Sequence, residues 1–120
     1  MNARVQFIGE LGKQILFVDC SNCSARQVEE IARKVPDLVT LQPRNSVLLL
    51  VDFTGASFDL DAIRTMKESA VFDKPYIKKS AWIGARAVPQ EFQEEIKNFS
   101  GRELPAFRTR QEAVTWLVRE

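Results

Sequence analysis

Cys20-Ser21-Asn22-Cys23 sets two thiols at the spacing of thiol-disulfide exchange, between an apolar stretch ending at Asp19 and a helical pattern that opens after Ser24. A thiol just before a helix has its thiolate favoured, so Cys20 as attacking group and Cys23 as resolving group would form a two-electron redox pair without a cofactor. Two features oppose this. Cys20 continues a strand whose side chains largely face inward, and the motif has neither a preceding aromatic nor an internal proline. Free cysteine packs readily as a small hydrophobe, so two inert buried thiols are the simpler expectation.

A second candidate is Asp52-Phe53-Thr54-Gly55-Ala56-Ser57, which leads from an apolar run to a helix start. Asp52, Thr54, Gly55 and Ser57 supply an acid, two hydroxyls, a permissive backbone and free N–H donors, a set suited to an anion or to a phosphorylated hydroxyl. The plainer reading is that Thr54, Gly55 and Ser57 only shape a turn and cap a helix. A third is the basic and aromatic patch of Lys74, Tyr76, Lys78 and Lys79, where an acidic partner or a phosphate could dock. Its plainer reading is a solvated connection with Tyr76 or Ile77 tucked inward.

Asp19, Asp52, Asp59 and Asp61 invite comparison with a cation-binding or aspartyl-phosphate site of the receiver type. Such a site needs an acidic pair after its first strand and a lysine at the end of a later one. Here Asp19 is followed by Cys20, and Lys78 and Lys79 stand before the strand expected from Ser80. Asp59 and Asp61 instead suit the start of a helix dipole, and no metal site is expected. Gly9-Glu10-Leu11-Gly12 is a turn between strands rather than a nucleic-acid clamp, and Trp82 and Trp116 belong to core or interface.

The chain contains no histidine. This removes the usual neutral-pH base and imidazole ligand, and with them Ser-His-Asp, Cys-His and Cys/His zinc arrangements. No catalytic residue and no cofactor is expected. With 17 basic and 16 acidic side chains the net charge is +1, so no global field draws the chain to nucleic acid. No apolar run reaches the roughly 18 residues of a membrane span, and the segment Met1 to Gly9 lacks a secretory pattern, so a cytoplasmic chain with reduced cysteines is expected.

The 120 residues suit a single α/β domain spanning 1–120. Alternation predicts strands at Val5 to Ile8 and Gln14 to Asp19, joined as a hairpin. Val28, Ile31, Ala32 and Val35 predict a helix, opened by the capping-box pair Ser24 and Gln27. Val47 to Phe53 reads as a central strand covered on both faces. A second helix is expected from Ser57 or Asp59, burying Leu60, Ile63, Met66 (or Lys67) and Ala70 and ending before Pro75. A strand from Ser80 to Ala85 precedes a third helix, with Pro89 at its start, Phe92, Ile96 and Phe99 on one face and Gly101 as its stop. Leu104 to Phe107 is a last short strand. Thr109 and Glu112 then open a fourth helix, on which Ala113, Trp116 and Leu117 share a face. The order is ββαβαβαβα, giving a largely parallel sheet of about five strands packed by four helices, with right-handed crossovers as the default.

Four segments together carry a resemblance: Gly12-Lys13-Gln14-Ile15-Leu16-Phe17-Val18-Asp19, the strand ending in Asp52, the run Lys74-Pro75-Tyr76-Ile77-Lys78-Lys79-Ser80-Ala81-Trp82-Ile83-Gly84, and the segment Phe107 to Leu117. In these the chain resembles the small bacterial SpoIIAA-like proteins. The resemblance implies a STAS fold, related in architecture to the CRAL-TRIO lipid-transfer fold and not bound to the usual crossover hand. It further implies a protein-binding module switched at a serine in the loop after a central strand. Here that loop has the acid Asp52 and the glycine Gly55 but no adjacent serine pair, so Thr54 and Ser57 are the phospho-acceptor candidates. The expected function is therefore a non-enzymatic, STAS-type regulatory module that binds a protein partner or a small ligand. The alternatives are a carrier of a lipid or other hydrophobic molecule and, behind it, a Cys20–Cys23 redox protein. Trp82, Trp116 and several Phe also leave a homodimer open. An enclosed apolar pocket at the carboxyl ends of the strands would favour the carrier, and a flat polar surface the docking module.

Overall fold

In the computed structural model, which describes residues 4–100 and 104–119, the first two runs form the expected antiparallel hairpin, β1 (Val5–Glu10) and β2 (Lys13–Asp19). The chain reverses through Leu11 and Gly12, both at positive φ. α1 (Ala25–Val39) is opened by Ser24, whose hydroxyl accepts from Gln27 N while the Gln27 side chain accepts from Ser24 N. It buries Val28, Ile31, Ala32, Val35 and Val39 and continues through Pro36. A proline inside a helix cannot donate to the carbonyl four residues back, here that of Ala32.

β3 (Val47–Asp52) is the middle strand of a single sheet of order β1-β2-β3-β4-β5, antiparallel only in its first pair. α2 (Leu60–Asp73) is capped by Asp59, whose Oδ1 accepts from Ala62 N at 2.8 Å. Its buried stripe corrects the expectation: Ala62, Thr65, Ser69 and Asp73 face inward, whereas Ile63, Met66 and Ala70 are half-buried and Leu60 is 80% exposed. Small and polar residues let α2 lie close on α1, where Ser69 Oγ donates to the Ala32 carbonyl at 2.6 Å.

β4 (Ile77–Ile83) begins three residues before the expected Ser80, so Lys78 and Lys79 lie inside the strand. Val47 pairs with Ile77 but Leu48 pairs with Lys79, which leaves Lys78 as the extra residue of a bulge. The bulge turns Ile77 and Lys79 to opposite faces. A short 3₁₀ turn over Ala85–Ala87, unforeseen in the sequence, leads through Val88 and Pro89 to α3 (Gln90–Ser100). β5 is reduced to Ala106–Phe107, and α4 (Arg110–Val118) starts at Thr109 as expected. The expected helix stop at Gly101 lies outside the described residues.

Alternation along the strands divides the core in two. Ile15, Phe17, Leu50, Ala81 and Ile83 pack against Ala113, Val114 and Leu117 of α4. Leu16, Val18, Val51 and Trp82 turn the other way, toward Val28 and Ile31 of α1 and Phe92 of α3. β3 is covered on both faces, which is why its sequence is an almost unbroken apolar run. Among the described residues, no helix is long and apolar enough to cross a membrane.

Candidate functional site

The second of these faces is not filled. Between α1, α2, α3 and the sheet lies a cavity of about 140 Å³, floored by Val18, Leu49, Val51 and Trp82. Its walls are Ala32 and Val35 of α1, Met66 and Ala70 of α2, and Phe92 and Ile96 of α3. α3 is tied to α2 by the Lys67–Glu95 ion pair and by Lys74. The Lys74 amine donates to the Phe99 carbonyl at 3.0 Å and stands 4.6 Å from the Phe99 ring centroid. The cavity therefore runs along the sheet face beneath the helices, from Cys20 and Phe53 at the carboxyl ends to Asp73 and Ile77 at the amino ends. It does not sit beyond the carboxyl ends, where a pocket would have favoured the carrier.

Polar groups in this lining are few. The Ser69 hydroxyl is committed to Ala32. Asp73 is 7% exposed, and its Oδ1 has no hydrogen-bond partner. Burial pushes its carboxyl from the ordinary 3.8 up to about 7. In the sequence Asp73 reads only as the end of α2. The signal that marks it is the spacing Ala62, Thr65, Ser69, Asp73, one inward helical stripe of small and polar residues.

Cys20 and Cys23 are both buried and unpaired. Burial above all, helped by the neighbouring Cys23 and Asp19, pushes the Cys20 thiol up to about 12, and burial also raises Cys23. Both shifts oppose the thiolate that exchange chemistry requires.

The loop after β3 is a latch among three strand ends. Asp52 Oδ1 accepts from Thr54 N at 2.9 Å, Asn22 N donates to Thr54 O at 2.8 Å, and Ser57 N donates to Cys23 O at 2.9 Å. Gly55, at φ +70°, leaves room for Asn22, and Gly84, at φ +69°, lies against the Thr54 backbone. The N–H groups of Thr54, Ala56 and Ser57 are thus already engaged, which removes three of the donors expected to hold an anion. The Thr54 and Ser57 residues remain exposed at the carboxyl-end surface, and the helix cap falls to Asp59 rather than Ser57.

The basic patch divides between the two faces of the sheet. Lys74 reaches to α3, whereas Lys79 donates to Trp116 O and Arg119 O, each at 2.8 Å, and lies 4.4 Å from the Trp116 ring centroid. Lys79 thereby closes the carboxyl end of α4. Of Tyr76 and Ile77, it is Ile77 that is buried, with Tyr76 half-buried beside it, and Lys78 is exposed on the bulge. Lys13, Lys78, Lys79 and Arg119 border a second, more polar pocket of about 360 Å³ at the amino ends of the strands.

The acids are dispersed. Asp19 accepts from Ser21 N and Oγ, Asp59 caps α2, and Asp61 lies 3.9 Å from Arg64. Among the described residues, no group of three or more cysteine or acidic side chains is placed to hold a metal ion. No family model, curated protein or solved structure matches the chain.

Proposed function

We propose that this chain is a non-enzymatic, STAS-type regulatory module that binds a small apolar molecule in the cavity between α1, α2, α3 and the sheet. The observation that carries the reading is the cavity itself, about 140 Å³ of apolar space on an otherwise close-packed sheet face. The cavity is partly open to the surface, which gives an occupant a way in. An apolar cavity of about 150 Å³ takes up benzene, so one ring or a short alkyl chain is the size of occupant. The SpoIIAA-like resemblance and its kinship with a lipid-transfer architecture support the same reading. So does the lack of a histidine, which leaves the site without the usual proton-transfer group. Unpaired Cys20 and Cys23 suit a reducing, cytoplasmic setting.

Trp82 lies in the cavity floor, whereas Trp116 sits on the α4 face, so the Trp116→Phe protein reports on the cavity through one fluorophore. Titration with iodobenzene, a heavy-atom quencher of suitable size, is expected to quench Trp82 saturably. Ala70→Leu, which fills the cavity from α2, is expected to abolish the saturable component. Linear quenching, equal in both proteins, would remove the proposal.

A further inference from the structure

The cavity ends at its amino side in an acid with nothing to bind. Asp73 is 7% exposed and its Oδ1 has no partner, while its backbone carbonyl accepts from Tyr76 N at 2.9 Å. Buried polar side-chain atoms in native proteins are almost always paired, so an unpaired one demands an explanation. In ligand pockets of largely apolar lining, a few convergent polar groups fix the orientation of the occupant. Asp73 lines the cavity, and its carboxyl has an oxygen without a partner to bring to that role.

The surroundings narrow what the occupant carries. Among the described residues, the other titratable groups of the lining are Cys20, at the far end, and Lys74, the next residue along. The Cys20 thiol, pushed up to about 12, is neutral. Lys74 is turned to the rim, where its amine is held by Phe99. An anionic ligand would face the carboxylate. A cationic one would bring a further charge into a space that solvates charge poorly. A hydroxyl does neither: it donates to an ionised carboxylate, and it both donates to and accepts from a protonated one.

Resting on the cavity reading above, we propose that the Asp73 carboxyl accepts a hydrogen bond from the ligand, and that the cavity selects a neutral molecule joining one ring-sized or short-chain apolar group to a single hydroxyl.

Toluene, benzyl alcohol and benzylamine are nearly equal in size and differ in the group offered to Asp73. Each is titrated into the Trp116→Phe protein at pH 7, with and without Asp73→Leu, and read by Trp82 fluorescence. The ratio of the benzyl alcohol Kd to the toluene Kd cancels changes in cavity shape. It is expected to rise about tenfold in Asp73→Leu, the loss that goes with one buried hydrogen bond. Asp73→Ala carries the same comparison without added bulk, so the test does not depend on one variant folding. Saturable toluene binding with an unchanged ratio would overturn this inference and leave the cavity reading intact. Benzylamine held more tightly than benzyl alcohol, with that preference lost in Asp73→Leu, would overturn it in favour of a cationic ligand. No saturable binding of toluene to either protein would sink the cavity reading and this inference with it.

Discussion

The Ser69 hydroxyl of α2 donates at 2.6 Å to the carbonyl of Ala32, the α1 carbonyl that Pro36 leaves without its helical donor. A defect in one helix is thus repaired by a side chain of the next. The repair requires close approach, which the small residues of the α2 stripe permit. It also sets the walls of the cavity, since Ala32 and Ser69 both line it.

Ser69→Ala is expected to cost about 1–3 kcal/mol, because it strands a buried carbonyl. In a Pro36→Ala background the helix regains its own N–H donor, and the cost of Ser69→Ala should fall below about 1 kcal/mol. Urea unfolding of the four proteins of this cycle measures the coupling. Additive effects would contradict the link between the two residues.

Gly84 and Gly12 both have positive φ but differ in surroundings. A Cβ on Gly84 would stand 2.6 Å from the Thr54 nitrogen, whereas one on Gly12 would meet nothing within 4 Å. Gly12→Ala is therefore expected to cost about 1 kcal/mol from backbone conformation alone. Gly84→Ala should cost about 3 kcal/mol or more, because backbone must also move. Equal losses of stability on denaturant unfolding would show that the latch between the loops after β3 and β4 carries no close contact.

Asp73 makes stability depend on pH in an unusual direction. Its folded value, about 7, lies above the ordinary 3.8 expected when unfolded, so between those values the native state holds a proton that the unfolded state has lost. Its contribution is complete below pH 4, declines as pH rises to 7, and is flat above. The decline amounts to up to about 4 kcal/mol. Asp73→Asn should abolish this slope. Parallel stability profiles for the two proteins between pH 4 and 7 would show that the carboxyl is not buried in solution.

With its thiol pushed up to about 12, Cys20 is ionised at pH 8 to roughly one part in ten thousand. Native protein treated with iodoacetamide is expected to keep both Cys20 and Cys23 unmodified over hours, and unfolding in urea should speed alkylation at least a hundredfold. Intact mass against time decides this. Rapid native labelling of one cysteine would restore the redox reading.

The sequence disclosed those parts of the molecule where burial follows hydrophobicity. α1 advertises Val28, Ile31, Ala32 and Val35 at helical spacing behind a capping box, and β3 is apolar throughout because both of its faces are covered. α2 misled because its inward stripe was selected for smallness and hydrogen bonding, while Leu60, Val71 and Phe72 stay exposed. The start of β4 was missed because the bulge at Lys78 interrupts the two-residue alternation. The cavity was illegible for a different reason. It is a volume that no side chain fills, and it depends on how α3 stands off the sheet. Asp73, its one unpaired acid, looks in sequence like any charged helix end.

Two sets of residues are interleaved along the same strands. Ile15, Phe17, Leu48 and Leu50 serve the solid core under α4, whereas Val18, Leu49 and Val51 border the cavity. Specificity and foldability are therefore written in alternating letters of one text. The cavity can be recut for a larger, smaller or differently shaped occupant by rewriting every second letter, and the core under α4 need not be rewritten with it.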